Sequence, residues 1–362
     1  MKKNIFKNKK VLITGASGFK GSWLSIWLNY LGANVIGYSA YFPSKPCNFS
    51  VCGLKKIIRH IEGDVRNYAA LKKVFMRYNP EIVFHLAAQP IVSESYKNPM
   101  ITFETNLLGT VNVLECIRHS KSARAAVIIT SDKCYKNQEW NRGYRENDIL
   151  GGEDPYSSSK ACAELAFHSY CKSYFPIKNS HCRLASARAG NVIGGGDWNI
   201  DRLIPDCVKS WSNKKAVFIR NPNATRPWQH VLEPVSGYIW LAHKLFLSNR
   251  FNSESFNFGP NYRRSYSVKD IIQSFSKDFG GGEWKHSSIK KGKETHLLKL
   301  SCKKAKTMLN WRSVLDFDET IKFTAQWYRE YYSKKKNMLN FTLSQIGDYI
   351  KKSKGQKLLW TN

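Results

Sequence analysis

Between residues 10 and 192 short apolar runs alternate with longer amphipathic stretches, and few folds accept that rhythm. The apolar runs are KVLIT, ANVIGY, HIEGD, EIVFHLAA, AAVIIT and CRLASARAGNV. The intervals carry helical spacing: in SWLSIWLNYLG, residues Trp23, Leu24, Trp27, Leu28 and Leu31 share one face, and Gly32 is a stop. LKKVFMRY, residues 99–119 and residues 157–174 read as further helices. Strands separated by helices are joined by crossovers, so the sheet they build is parallel and covered on both faces.

The expected fold class is therefore α/β: a doubly wound parallel Rossmann sheet with a smaller, discontinuous α/β substrate domain. A chain of 362 residues is too long for one compact core. The rhythm changes near Gly194. GGGDW reads as a loop, and LIPDCVKSW, residues 230–246, SVKDIIQSF and DETIKFTAQWYREYY read as helices with short strands between. The expected division is 1–193 for dinucleotide binding, 194–333 mainly for a nucleotide-sugar substrate, and 334–362 as a basic C-terminal tail.

Gly15, Gly18 and Gly21 form G-x-x-G-x-x-G between the first apolar run and the first helix. Glycines let such a turn tighten and let backbone N–H groups approach a pyrophosphate at a helix N-terminus. Dinucleotide binding is the expectation. The second strand, however, ends in Tyr38-Ser39-Ala40 where an acid for the adenosine ribose is usual, which leaves NAD and NADP both open. Asp64, ending the third strand, has two readings: a partner for the adenine amino group, or a helix N-cap.

The fifth strand runs into Thr130-Ser131-Asp132-Lys133-Cys134-Tyr135, an acid and a base side by side after two hydroxyls. One βα unit later comes Tyr156-Ser157-Ser158-Ser159-Lys160. Spacing of four places the phenol and the ammonium on one helix face. A nearby ammonium is expected to lower the Tyr156 pKa and make the phenol a usable base.

GASGFKGSWL, HLAAQP, TSDKCY, YSSSK, ARAGNVIGGGDW, RLIPD and TRPWQHVLEP resemble the extended short-chain dehydrogenase/reductase family over roughly residues 8–335. GFKGSW, SDKCY and GNVIGGGDW resemble one branch of it, the CDP-glucose 4,6-dehydratases. The resemblance implies a tightly held NAD, a small-molecule nucleotide-sugar substrate, CDP-D-glucose, and a homodimer or homotetramer. It implies cofactor contacts from Gly15, Gly18, Phe19, Gly21, Asp64, Ala87, Tyr156 and Lys160. By the same likeness Ser131 and Tyr156 hold the sugar 4-hydroxyl, Asp132 is the acid and Lys133 a candidate base for elimination across C5–C6. Asn191 resembles the family residue at the phosphates, and Arg202 and Arg226 suit the pyrophosphate because the guanidinium fork binds phosphate oxygens in pairs.

A Lys133 base must be neutral, and bringing a lysine from about 10.4 to about 7 takes roughly 4–5 kcal/mol. An Asp–COOH/Lys–NH2 pair holds the same proton count as the ion pair, so one desolvation could shift both. The other reading keeps Lys133 charged, stabilising an enolate electrostatically. His85 and His230 read as structural, since no metal-ligand or nucleophile spacing surrounds them, and Trp198 and Trp228 read as core.

Composition bears on partners. The net charge of +30 admits nucleic acid, but lysine is spread along the chain, with its densest clusters at 334–337 and 351–357. A basic surface equally suits nucleotide diphosphates, and nucleic acid is the weaker reading. With no 18-residue apolar run, no membrane span is expected. The basic N-terminus lacks signal-peptide features and the nine cysteines are scattered, which points to reduced thiols in a cytoplasm. Two alternatives stand beside the dehydratase: a nucleotide-sugar epimerase or reductase, and an inactive nucleotide- or nucleic-acid-binding protein.

Overall fold

Seven strands form the central sheet of the computed structural model, which describes residues 4–176, 180–262, 264–287 and 297–358. They are β1 (Lys10–Thr14), β2 (Asn34–Ser39), β3 (Arg59–Glu62), β4 (Ile82–His85), β5 (Ala125–Ile129), β6 (Arg183–Ala189) and β7 (Glu254–Phe258). Their spatial order is β7-β6-β5-β4-β1-β2-β3, and every neighbouring pair is parallel. Side chains alternate between two cores. Val11, Ile13, Ile82, Phe84, Val127 and Ile129 enter one; Leu12, Val83 and Ile128 enter the other, with Val113, Leu114 and Phe167.

β1 is flanked by β2 on one side and β4 on the other, so chain progression reverses there. The crevice at the carboxyl ends of β1 and β4 is where such sheets bind ligands. The helix α1 (Phe19–Tyr30) begins at this crevice. Trp23, Leu24, Ile26, Trp27 and Leu28 are all buried, because the helix is covered on more than one side. The sheet lies beneath it, and the helices Leu232–Leu247 and Met338–Gly355 lie against it.

The helix expected over 99–119 is one run, Pro99–Phe103, Glu104–Leu108 and Gly109–His119, with a wider π turn at its middle segment. Buried Asn106 sits in that turn. Its side chain accepts from the Gln89 amide (2.9 Å) and donates to the Gln89 carbonyl (3.1 Å) and Ser159 Oγ (2.9 Å). One amide thus braces the loop after β4 against the helix Pro155–Tyr174.

The region after Gly194 is shared out. The helices Leu203–Ser212, Val268–Phe279 and Phe317–Ser333 and three short strand pairs stand beyond the sheet. Residues 232–258 return to it: the helix Leu232–Leu247 packs on β5 and β6, and β7 extends the sheet past β6. The basic segment after 334 contains the helix Met338–Gly355, whose buried face carries Met338, Thr342, Gln345, Ile346, Tyr349 and Ser353 rather than lysines. Tyr349 donates to Glu233 Oε2 (2.7 Å) and stands edge-on to Trp27 (5.7 Å); Trp327 Nε1 donates to Thr342 Oγ1 (2.9 Å). Among the described residues no helix is long and apolar enough to cross a membrane.

Candidate active site

The crevice is built from three chain segments. The first is the turn after β1. Gly15 has φ +74°, and a Cβ there would lie 2.7 Å from the Ala87 amide nitrogen. A Cβ at Gly21 would lie 2.1 Å from the Gly15 carbonyl oxygen. Gly18 opens α1 with no side-chain cap, so the first-turn amides are left for a ligand. The fit to a dinucleotide pyrophosphate is good: bare backbone, an uncapped helix start, and Ala87 closing the far side.

The adenosine end departs from the usual pattern. Ser39 Oγ accepts from the Ser17 amide (3.0 Å) and Tyr38 donates to the Asp64 carbonyl (3.0 Å). Asp64 does not cap the next helix; Asn67 does, accepting from the Ala70 amide (3.0 Å). The Asp64 carboxylate instead binds Arg66 through the backbone (2.8 Å) and the guanidinium (2.7 and 2.9 Å). Partial burial works against its charge, but Arg66 holds it below the usual carboxylate range.

The second segment is TSDKCY. Ser131 caps a single 3-10 turn, Asp132–Cys134, its Oγ accepting from the Lys133 amide (3.2 Å) and donating to Asp132 Oδ1 (3.1 Å). A buried network fixes this turn from below. Arg188 on β6 pairs with Glu164 at 2.7 Å, both fully buried, and donates to the Tyr135 hydroxyl (2.8 Å). Glu164 also accepts from Thr130 and Ser186, and Tyr135 donates to Asn257 on β7 (2.8 Å). Burial opposes the Glu164 charge, yet Arg188 keeps its carboxyl below the usual range.

The third segment is the helix Pro155–Tyr174, started by Pro155 and capped by Asp154, which accepts from the Ser157 amide (2.9 Å). Tyr156 in its first turn stands near the Ser131 hydroxyl, which favours its ionised form. Both Tyr156 and Lys160 are buried. The expected lowering of the phenol is not what this arrangement produces. Burial pushes Tyr156 up to about 12; Asp132 adds to the rise, while Ser131 and Arg202 oppose it. Lys160 is not among the main influences on the phenol, because burial removes its own proton more readily, at about 8.

Asp132 is 2% exposed, and its Oδ2 has no hydrogen-bond partner among the described residues. Burial raises its pKa against the opposing charges of Lys133, Arg226 and Lys20 and the Ser131 hydrogen bond. The carboxyl is therefore held toward its protonated, donating form. Lys133, next in the same turn, is partly buried.

Arg202 precedes the helix Leu203–Ser212, gives Nη1 to Asp197 Oδ2 (3.0 Å), and acts electrostatically on Tyr156. Arg226 gives Nη1 to the Thr225 carbonyl (2.8 Å) and acts on Asp132. Asn191 follows β6, its carbonyl accepting from the Gln229 amide (3.0 Å). The adjacent Gly190 faces Asp132, since a Cβ there would stand 3.1 Å from Oδ2. Ser131, Asp132, Tyr156, Lys160, Arg202 and Arg226 are thus linked around one space, with Asn191 at its edge.

The histidines and tryptophans lie apart from it. His85 bridges the Thr14 and Thr110 hydroxyls (2.7 and 3.0 Å), and burial takes it down to about 3. His230, also near 3 through burial, packs edge-on to Trp23 and Phe323. Trp198 is buried among Trp327, Tyr328 and Tyr331, and Trp228 is buried too.

Two residues escaped the sequence reading. Lys20, in the first turn of α1, is partly exposed, yet burial first, then Lys160 and Arg202, lower its ammonium to about 7. Tyr238, on the helix Leu232–Leu247, has a buried hydroxyl with no partner among the described residues and couples electrostatically to Tyr156 and Asp132. The signal for Lys20 was its place in GFKG, a charge two residues past the loop glycine on an otherwise apolar helix start. Tyr238 carries none, since an aromatic in VSGYIWLA reads as core.

Residues 12–324 match the family model described as GDP-mannose 4,6 dehydratase. The CDP-glucose 4,6-dehydratase of Salmonella typhimurium is 44% identical over 352 residues, spanning 96% of this chain and 98% of its own. The dTDP-D-glucose 4,6-dehydratase of Homo sapiens is 26% identical, over 91% and 93%. Among solved structures, dTDP-glucose 4,6-dehydratase from Bacillus anthracis in complex with NAD superposes with a TM-score of 0.75 at 21% identity, covering 92% of this chain and 99% of that one. At that identity the superposition establishes the shared fold.

Proposed function

The chain belongs to the GDP-mannose 4,6 dehydratase family, and from that premise we propose that it converts CDP-D-glucose to CDP-4-dehydro-6-deoxy-D-glucose and water. The observation that carries the reaction type is Asp132, a buried carboxyl held toward its acid form, which accepts from Ser131 and lies near Tyr156. An epimerase or a simple reductase needs the hydroxyl pair and has no step that uses a second acid. Near-full-length identity to the Salmonella enzyme supports CDP-glucose over other nucleotide hexoses.

NAD is the cofactor in this reading, held by Gly15, Gly18, Phe19, Gly21 and Ala87, with Asp64 at the adenosine end and Lys160 and Tyr156 at the nicotinamide end. When bound, it takes the C4 hydrogen as hydride and later returns it to C6. The protein's part is proton transfer and orientation. Tyr156 Oη takes the C4 hydroxyl proton as the phenolate, a form that burial opposes and that the positive nicotinamide ring would favour once bound, and Ser131 holds the same oxygen. The new ketone acidifies C5. An amine beside Asp132 removes the C5 proton, for which the sequence motif offers Lys133. Asp132 protonates the departing 6-hydroxyl. Arg202, Arg226 and Asn191 bind the pyrophosphate.

The substrate lies between the sheet and the elements beyond it, in a dehydratase placed in the cytoplasm. A homodimer or homotetramer is part of the same reading. Exposed Met100, Ile101, Leu108 and Leu165 on adjacent helices make an apolar face suited to self-association, and light scattering tests it. The function is tested by supplying CDP-, dTDP-, UDP- and GDP-hexoses with NAD or NADP. A 6-deoxy-4-keto sugar from CDP-glucose is expected; a 4-epimer, or no turnover of any of the four, refutes the proposal.

A further inference from the structure

We propose that the protein carries a second nucleotide site, for a nucleoside polyphosphate, at the end of the sheet opposite the cofactor crevice. A cleft of about 400 Å³ opens there, at the amino ends of β1, β2 and β3. Lys10 pairs in register with Asn34, and Ile36, two residues on, pairs with Arg59. The helix Tyr68–Tyr78 ends at the same place and adds Arg77 and Tyr78 to the lining. β1 is five residues long. At ~3.3 Å per residue, Lys10 stands roughly 13 Å from Thr14 at the crevice. The two sites thus lie at opposite ends of the same strands, and the second does not depend on the dehydratase reading.

Three cations meet at this cleft without a countercharge. Lys10, Arg59 and Arg77 line it, no Asp or Glu does, and none of the three has a carboxylate partner among the described residues. The nearby Glu81 carboxylate is already engaged by Lys9 Nζ (2.7 Å) and by the Lys10 amide (3.2 Å). Edge protection accounts for a charge on β3, the outermost strand, and a helix C-terminus accounts for Arg77. Neither accounts for Lys10, on a strand with neighbours on both sides. Like charges around one cleft repel one another, and a bound polyanion relieves that repulsion.

Much of the remaining lining is apolar. Val35, Ile36 and Ile58 contribute buried side chains. Tyr78 adds a half-buried ring, with the guanidinium carbons of Arg77 and Arg59 5.5 and 5.9 Å from its centroid. Phosphates alone need only the cations. Apolar side chains and an aromatic ring flanked by guanidiniums suit a planar base carried on those phosphates. The side-chain amides of Asn29 and Asn34 donate to the Ile57 and Asn8 carbonyls (3.0 and 3.3 Å), so neither donor is left to select a particular base.

The test is equilibrium dialysis of ATP, CTP and inorganic triphosphate against the full chain saturated with NAD, for wild type, Lys10→Gln and the double variant Arg59→Gln, Arg77→Gln. Wild type is expected to bind ATP and CTP about equally, and inorganic triphosphate about tenfold more weakly for want of a base. Each cation removed weakens ATP binding by about tenfold. Rising salt weakens it in wild type. NAD affinity stays at the wild-type value in every variant, which reads an intact fold. ATP binding that survives undiminished in the double variant belongs to the crevice and overturns the proposal. Inorganic triphosphate held as tightly as ATP overturns it too, as does wild type that binds no ATP once NAD is in place, or binds it with no dependence on salt.

Discussion

Replacing Lys20 with methionine should stabilise the fold at and below neutral pH, and the gain should vanish in alkali. In the native state burial brings this amine from 10.5 to about 7. At 1.36 kcal/mol per pH unit, that fall corresponds to about 4.8 kcal/mol as an upper bound. Lys20 is partly exposed, so solvent reaches some of the side chain and about 2–4 kcal/mol is the discounted expectation. The sign follows from proton counts. The folded-state value lies below the unfolded one, so between about pH 7 and 10.5 the unfolded chain binds more protons and stability rises with pH. Below pH 7 the whole penalty stands; above 10.5 it is gone. Lys20→Met removes the penalty and retains the stem's packing. Guanidinium unfolding of both proteins at acid and alkaline pH reads the difference directly. A variant no more stable than wild type near pH 6, or a difference that does not change with pH, refutes the claim that burial depresses this amine.

Further outcomes follow from the same geometry. Asp132→Asn keeps the carboxyl's shape without its proton, so cofactor reduction on adding substrate persists while 6-deoxy product falls about 10²–10⁴-fold; unchanged product formation removes Asp132 from the chemistry. Glu164→Gln leaves Arg188 buried without its countercharge and should destabilise by about 3–5 kcal/mol in denaturant unfolding; a loss under about 1 kcal/mol contradicts the bracing role of that pair. Gly21→Val collides with the Gly15 carbonyl and should abolish NAD binding in an equilibrium titration, while Asn191→Ala leaves it intact; retained affinity in Gly21→Val refutes the cradle.

Much of the sheet was legible because buried parallel strands must be apolar along their whole length. KVLIT, EIVFHLAA and AAVIIT therefore announced β1, β4 and β5 without help from tertiary context. β7 was not legible: ESFNF has three polar residues, tolerated because Glu254 pairs with Lys304, Ser255 with Ser186, and Asn257 with Tyr135, Tyr144 and Glu146. The segment after 334 read as basic from its lysines, whereas its fold role depends on Thr342, Gln345, Ile346 and Tyr349 on the opposite face. The site divides the same way. Ser131, Asp132, Tyr156 and Lys160 could be found because motif spacing fixes them on one strand end and one helix turn. The electrical state of the site could not, because it depends on which charges three-dimensional packing strips of water. Spacing promised a phenol lowered by Lys160, and burial yields the opposite shift. Nor does spacing disclose Lys20, more than a hundred residues earlier in the chain, whose ammonium burial lowers to about 7.

The central claim is that one carbon loses a hydrogen and another carbon of the same sugar regains it without release to solvent. CDP-glucose carrying deuterium at C4, turned over by the wild-type enzyme with NAD in ordinary water, tests this most directly. The deuterium is expected in the C6 methyl group of the product, with a solvent proton at C5. Deuterium found still at C4, or lost to water, would contradict the account.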